Sequence, residues 1–405
     1  MWHKLKIIFI ASAVMREVLC DDITDFKEYN KKNNDSWNYS KARIKRQGDE
    51  RWSWGYVDVS ETTTTSSTEA TTTTVTYPPD HPCFPVIVEE PDFRAQGRRI
   101  SEEKCLQFIW NGKRRVQISI KNSLCELRKY NDAHPGNGIG GAIGGRDTYD
   151  GEFPHMSAIG WLTSEGTYAF KCGASLISSK FVLTAAHCTK ASDRDTSIAD
   201  PVPKIIRLGH KNIQRSKYHY QSYQLTDVNI LRIITHPSYN PPKKYFDIAL
   251  MELEEDVKMG SRIQPACLWP HYDTSELGTK ATLTGWGVTE VVSKTTTPEL
   301  QAVDVDLVDS QTCDNLLRHS CNRLWCGVHE SQICAGVLAG GADACQGDSG
   351  GPLQVKINVT EWVDGAIHYV IGVTSFGLGC ARENTPGVYT RVSSFIDWIE
   401  KIVWP

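Results

Sequence analysis

From Ala142 onward, short apolar runs such as Ala174-Ser175-Leu176-Ile177, Lys180 to Ala185, Ile205-Ile206-Arg207-Leu208 and Ala281-Thr282-Leu283-Thr284 alternate with Gly, Pro and Asn turns. That rhythm predicts an all-β sandwich or barrel arrangement. Clear helical spacing occurs only at the end, Ser394 to Val403, where Phe395, Ile396, Ile399 and Val403 share one face. Upstream the pattern is different. Residues 21–80 are polar and charged, then pass into Thr62 to Thr68 and Thr71 to Thr74. Such a stretch buries too little apolar surface to offset its ordering entropy, and reads as a disordered, O-glycosylated spacer. Residues 81–141 form a small, charge-rich pro-region carrying Cys83, Cys105 and Cys125.

The first 20 residues have the signature of a cleaved signal peptide. His3, Lys4 and Lys6 precede the apolar run Ile7 to Val14, and Val18-Leu19-Cys20 offers a small-residue cleavage site. The run falls well short of the ~20 residues a spanning helix needs, and no later segment is long and apolar enough to cross a bilayer. The expectation is a secreted, extracellular protein without a membrane segment.

Composition adds the redox compartment. The 13 cysteines become an even 12 once Cys20 leaves with the signal peptide, as disulfides in an oxidising environment require. No paired C-x-x-C knuckles occur, so no metal is expected. His210, His219, His236, His319, His329 and His368 show no ligand spacing and read as surface or loop residues. The formal charge of −4 gives no reason to expect a nucleic-acid partner. Asn34, Asn38 and Asn358 each open an Asn-X-Ser/Thr glycosylation sequon. Arg43-Ile44-Lys45-Arg46 offers a basic processing site.

Three segments carry chemistry: Leu183-Thr184-Ala185-Ala186-His187-Cys188, Phe246-Asp247-Ile248-Ala249-Leu250, and Asp343-Ala344-Cys345-Gln346-Gly347-Asp348-Ser349-Gly350-Gly351-Pro352. A serine hydroxyl is a poor nucleophile until a neighbouring base takes its proton. Histidine is the side chain suited to do so near neutral pH, and a buried carboxylate fixes its tautomer. The backbone N–H groups of Gly347 and Ser349 are candidates to hold the oxyanion, and each such donor is worth ~2.7–4 kcal/mol in the transition state.

In this order and company, Ala142 to Pro405 resembles the chymotrypsin–trypsin family. Gly173-Ala174-Ser175-Leu176, Gly285-Trp286-Gly287, Ser375-Phe376-Gly377 and Pro386 to Val392 match as well. The resemblance implies two six-stranded antiparallel β-barrels with the active site between them and no cofactor. It implies a catalytic triad of His187, Asp247 and Ser349. Asp343 would stand at the floor of the specificity pocket, with Ser375, Gly377 and Gly387 also binding substrate, for cleavage after Arg or Lys. It further implies the disulfides Cys172–Cys188, Cys313–Cys334 and Cys345–Cys380, with Cys267 tethering the pro-region through Cys105. Cys321 and Cys326 then pair locally, which leaves Cys83 and Cys125 for each other.

His236 to Asp247 and Gly151 to Met156 resemble arthropod clip-domain proteases of the Snake and Persephone type, but three cysteines upstream of Ala142 are too few for a complete clip domain. Members of the family open their mature domain with an Ile-Val-Gly-Gly-like tetrapeptide. Here it reads Ala142-Ile143-Gly144-Gly145, preceded by Gly141 rather than a basic residue. The freed ammonium of Ala142 is expected to pair with Asp348, after cleavage by an upstream protease of non-tryptic preference. The expected partners are secreted zymogens as protein substrates and a serpin-type inhibitor. A broad digestive trypsin, or a catalytically silent homologue acting as a binding adaptor, are the alternative functions.

Overall fold

A computed structural model describes residues 81, 83–85, 89–133, 151–213, 226–287, 298–340, 348–359, 366–378 and 382–405. The signal peptide, the spacer, Asn34, Asn38, Gly141, Ala142, Asp343, Cys345, Gly347 and Cys380 lie outside the described residues. The chain divides into two units. The smaller, Met1–Phe84 with Lys121–Gly145, contains the Cys83–Cys125 disulfide and places the Lys121 ammonium over the Phe84 ring.

The larger unit, Pro85–Ile120 with Arg146–Pro405, holds the β-structure. Helix α1 spans Ile100–Ala133, and its residues up to Ile120 belong to this unit. The first barrel follows in β1 (Met156–Leu162), β2 (Tyr168–Leu176), β3 (Phe181–Thr184), β4 (Ile205–Leu208), β5 (Thr226–Thr235) and β6 (Ala249–Leu253). These close in the order β1-β2-β3-β6-β5-β4, all pairs antiparallel. After a two-residue strand β7 (Cys267–Leu268) come β8 (Lys280–Gly285), β9 (Gln301–Val308), helix α2 (Ser310–Leu317), β10 (Gln332–Gly336), β11 (Pro352–Lys356), β12 (His368–Phe376) and β13 (Gly387–Arg391). The order β11-β8-β9-β10-β13-β12, closed by β11–β12 pairing, makes the second antiparallel barrel. Strand β7 runs parallel beside β12 as an addition to it. Helix α3 (Ile396–Val403) ends the chain and buries Ile396, Ile399 and Val403.

Trp161, Leu183, Ile206 and Leu250 are fully buried in the first barrel, in one cluster with Val370 and Val373 of β12 and Phe395, Ile396 and Ile399 at the C-terminus. Each such side chain contributes roughly 1.5–3 kcal/mol of burial, so one hydrophobic body holds the two barrels and α3 together. Among the described residues no helix is long and apolar enough to cross a membrane.

Helix α2 (Ser310–Leu317) forms where the sequence pattern predicts none, and two further features depart from the sequence expectations. Helix α1 is hidden in the sequence by Asn111-Gly112 at its middle, a pair that ordinarily signals a turn. Its start is fixed from both sides. Arg99 N–H donates to Glu102 Oε2 at 2.9 Å, and Ser101 N–H donates to Glu400 Oε1 of α3 at 3.1 Å. Cys105 is joined to Cys267, with Phe108 and Ile109 packed around that bridge.

The second departure is His368. It opens β12 at 2% exposure rather than lying on the surface, beside the buried His155 with ring centroids 5.2 Å apart. Burial pushes His155 down to about 4, against the opposite pull of the Gln354 side chain. Burial, with the positive fields of His155 and Lys356, drives His368 well below the ordinary histidine range. An isolated histidine in a strand carries no sequence sign of facing inward.

Candidate active site

His187 follows β3 in a single 3-10 turn, Ala186–Thr189. Asp247 lies two residues before β6, in its connection from β5, and is 1% exposed. Two bonds join them: His187 N–H donates to Asp247 Oδ1 at 2.9 Å, and Nδ1 lies 2.8 Å from Oδ2. Oδ2 also accepts from Ser375 Oγ at 2.5 Å, and the Asp247 carbonyl accepts from Thr390 Oγ1 at 2.8 Å. Burial would push the Asp247 carboxyl up. The His187 field and the hydrogen bonds from His187 and Ser375 outweigh it and hold the group below the usual carboxylate range. An ionised carboxylate can only accept, so the proton between the two side chains belongs to Nδ1, which makes Nε2 the nitrogen that carries the lone pair whenever the imidazole is neutral. The negative charge reaches outward too. Burial and the Asp247 charge raise the Tyr239 hydroxyl to about 12.

Ser349 sits in a tight turn before β11. Gly173 N–H donates to its carbonyl at 2.8 Å, Gly351 N–H donates to Asp348 O at 2.9 Å, and Gly350 N–H donates to Thr374 O at 2.8 Å. Gly350 has φ +77°, and a Cβ there would stand 2.2 Å from Thr184 Oγ1 and 3.2 Å from Cys188 Sγ. Only glycine meets both demands. The turn is thus seated against the residue that precedes Ser375 and the cysteine that follows His187. Cys188 is bonded to Cys172, so although their sulfurs lie within 4.8 Å of a His187 ring nitrogen, no thiolate is present to ligate a metal.

The Gly285-Trp286-Gly287 motif has its own geometry. Gly287 N–H donates to Asp348 Oδ1 at 3.0 Å. A Cβ on Gly285 would stand 1.9 Å from that oxygen, and one on Gly287 2.6 Å from both carboxylate oxygens. Two missing side chains make the space that the Asp348 carboxylate fills.

Gly387 begins β13, and a Cβ there would stand 2.8 Å from Tyr389 Oη. Ser375 and Gly377 flank Phe376 at the end of β12, and the Ser375 hydroxyl is turned to Asp247. That contact, and the one from Thr390, join residues 128 and 143 positions apart, a relation no local motif reveals. Asn358 is exposed just beyond β11. Cys313 is joined to Cys334 and Cys321 to Cys326.

Comparison with known proteins agrees with this geometry. The family described as Trypsin matches residues 142–399. Serine protease Hayan of Drosophila melanogaster is 43% identical over 258 residues, covering 63% of this chain and 38% of its own length. Serine protease snk of the same organism is 41% identical, over 65% of this chain and 57% of that protein. Phenoloxidase-activating factor 3 of Holotrichia diomphalia is 34% identical, over 64% of this chain and 72% of its own. The match to Hayan and snk therefore leaves a large part of those proteins uncovered. With the family profile matched across most of the chain, this protein belongs to the trypsin family.

Proposed function

We propose that the chain is a secreted serine endopeptidase zymogen that cleaves after Arg or Lys and activates other secreted zymogens in an extracellular cascade. The observation that carries this reading is the buried Asp247 carboxylate, bound at 2.8 Å by His187 Nδ1.

In this reading Ser349 Oγ attacks the scissile carbonyl as His187 Nε2 takes its proton. Asp247 stabilises the resulting imidazolium. The N–H groups of Gly347 and Ser349 hold the oxyanion. His187 then returns the proton to the leaving amine, and water, activated by His187 in turn, hydrolyses the acyl-enzyme, freeing the new carboxyl end and returning the proton to Ser349 Oγ. Asp343 pairs with the substrate's Arg or Lys side chain, while Gly377 and Gly387 leave the pocket open.

Activation follows cleavage between Gly141 and Ala142 within the boundary of a 142–405 protease domain. The Ala142 ammonium then meets Asp348 in the space beside Gly285 and Gly287. Because Gly141 is not basic, an upstream protease of non-tryptic preference makes this cut, and the enzyme does not switch itself on. A serpin-type inhibitor would end its activity. Glycans at Asn34, Asn38 and Asn358 fit the extracellular setting. A relative named as a phenoloxidase-activating factor and the long upstream segment favour this over a digestive trypsin.

The test is hydrolysis of an Arg-peptide ester by N-terminally processed protein, wild type against Ser349→Ala. Activity lost only in the variant supports the enzyme. Equal inactivity of the two favours a binding adaptor built on the protease fold.

A further inference from the structure

Resting on the reading of Asp247 as the triad carboxylate, we propose that the disulfide-closed loop Cys321–Cys326 is a reducible clamp that positions Asp247. The loop lies between α2 and β10 and holds the segment that leads into the carboxylate. Lys244 N–H donates to Leu324 O at 3.1 Å. Cys326 N–H donates to Tyr245 Oη at 2.8 Å, and that hydroxyl donates onward to Gly327 O at 3.2 Å. Gln332 Nε2 donates to Lys244 O at 2.9 Å, while its Oε1 accepts from Trp325 Nε1 at 3.2 Å. Both backbone polar groups of Lys244 and the Tyr245 hydroxyl are therefore tied to the loop or to the glutamine that holds it.

The next residue in the chain is strained. Phe246, between Tyr245 and Asp247, has φ +57°, a left-handed conformation that a bulky side chain rarely takes. Its ring is held by His236, His329 and Phe395 at centroid distances of 5.9, 5.3 and 6.2 Å. A strained residue keeps its conformation only while its surroundings over-determine it. Freeing Lys244 and Tyr245 removes part of that constraint.

The loop also reaches Asp247 by a second route. Trp325 is 3% exposed and packs edge-on against Phe376, with centroids 5.6 Å apart. Phe376 directly follows Ser375, whose hydroxyl donates to Asp247 Oδ2. One loop thus braces both the chain that carries the carboxylate and the strand end that hydrogen-bonds it.

The bridge that closes the loop is open to solvent. Cys321 and Cys326 are both exposed, whereas Cys105, Cys172, Cys188, Cys267, Cys313 and Cys334 are at most 9% exposed. Its two cysteines are five positions apart, against 16 to 162 for the other described bridges. Opening it releases a local loop and leaves the long-range cross-links in place. The reductant is a dithiol of the thioredoxin class. One of its thiolates attacks a bridge sulfur and displaces the other as thiolate. Its second thiol then resolves the mixed disulfide, so the dithiol leaves oxidised and Cys321 and Cys326 are left as two thiols. Tyr245 acts here as a positioning residue, through the backbone of Asp247.

The experiment uses the processed enzyme, dithiothreitol and the Arg-peptide ester, with alkylation and mass spectrometry to identify the opened bridge. The expected result is that Cys321 and Cys326 are labelled first, kcat falls about 10-fold or more, KM changes little, and re-oxidation restores activity. Cys321→Ser/Cys326→Ser should start at the lowered kcat and not respond to the reductant. Tyr245→Phe, which keeps the ring, should also lower kcat and combine less than additively with the double variant. Unchanged kcat with the bridge demonstrably open overturns the proposal, as does a rise in KM at constant kcat. If the double variant does not fold, wild-type kcat in Tyr245→Phe overturns it alone. An oxidised wild type no more active than Ser349→Ala would instead reject the triad reading on which it stands.

Discussion

Ser375 Oγ donates a 2.5 Å hydrogen bond to the same Asp247 oxygen that faces His187 Nδ1. A hydrogen bond to a charged group is worth about 1.5–3 kcal/mol, and this carboxylate is buried among few alternatives. If the bond is used to hold Asp247 in register with the imidazole, Ser375→Ala should lower kcat/KM by about 10- to 100-fold, mostly in kcat. Steady-state hydrolysis of an Arg-peptide ester by the processed enzyme measures it. A value within about twofold of wild type would sink the idea.

Asp348 makes a sharper case, because it depends on two absent side chains. Gly285→Ala puts a Cβ 1.9 Å from Asp348 Oδ1, so the carboxylate must move and its bond to Gly287 N–H must break. Gly285 has no left-handed φ to forbid alanine, so the barrel should fold. We expect the unprocessed protein to keep its melting temperature within a few degrees, since the substitution acts at one edge of β8. The processed form should lose at least about 10-fold in kcat/KM, because the Ala142 ammonium proposed to pair with Asp348 would no longer find the carboxylate in place. Full activity in Gly285→Ala would show that Asp348 is not needed in this position.

How much of the fold and site is legible in the sequence depends on the range of each interaction. His187, Asp247 and Ser349 each stand in a local motif whose residue types suggest a chemistry, and the strand–turn rhythm after Ala142 announces an all-β sandwich or barrel, with the family resemblance choosing the barrel. The supporting contacts are different in kind. Ser375 and Thr390 reach Asp247 across 128 and 143 residues, and Glu400 meets the start of α1 across 299. No local pattern encodes such pairs. Asn111-Gly112 argues against a helix, because disulfides and docking on α3 rather than propensity hold α1. The inward turn of His368 is invisible for the same reason.

That buried histidine and its neighbour make stability depend on pH. Both His155 and His368 are held below the ordinary histidine value near 6.5 by burial, His155 at about 4. Between those values the unfolded chain binds more protons than the folded one, so stability is complete above about pH 6.5 and is lost as pH falls toward 4. Asp247, whose folded value lies below 3.8, adds its own loss only under more acid conditions. The His155 contribution is on the order of 3 kcal/mol. Melting temperatures of Ser349→Ala protein between pH 7.5 and 4 should fall steeply, and His155→Gln should flatten the curve. Parallel curves for the two proteins would contradict this account.

The docking of α1 on α3 gives a last expectation. Glu400, with its side chain 14% exposed, accepts from Ser101 N–H at 3.1 Å, Ser101 Oγ at 2.6 Å and Arg99 Nη2 at 2.9 Å, while Arg99 also pairs with Asp397. Nearby, Phe108 and Ile109 pack with Ile357, Ile367 and Tyr369 around the Cys105–Cys267 bridge. The covalent tether is thus laid over a polar clamp and an apolar patch. After activation cleavage, Cys105→Ser/Cys267→Ser protein should keep its pro-region bound in size-exclusion chromatography at micromolar concentration. Adding Glu400→Ala removes the shared acceptor of four donors, Arg99 Nε among them at 3.2 Å, and should weaken retention about 10-fold or more, in line with about 1.5–3 kcal/mol for hydrogen bonds to a charged group. Release of the pro-region from the double cysteine variant with Glu400 intact would mean that the disulfide alone holds it.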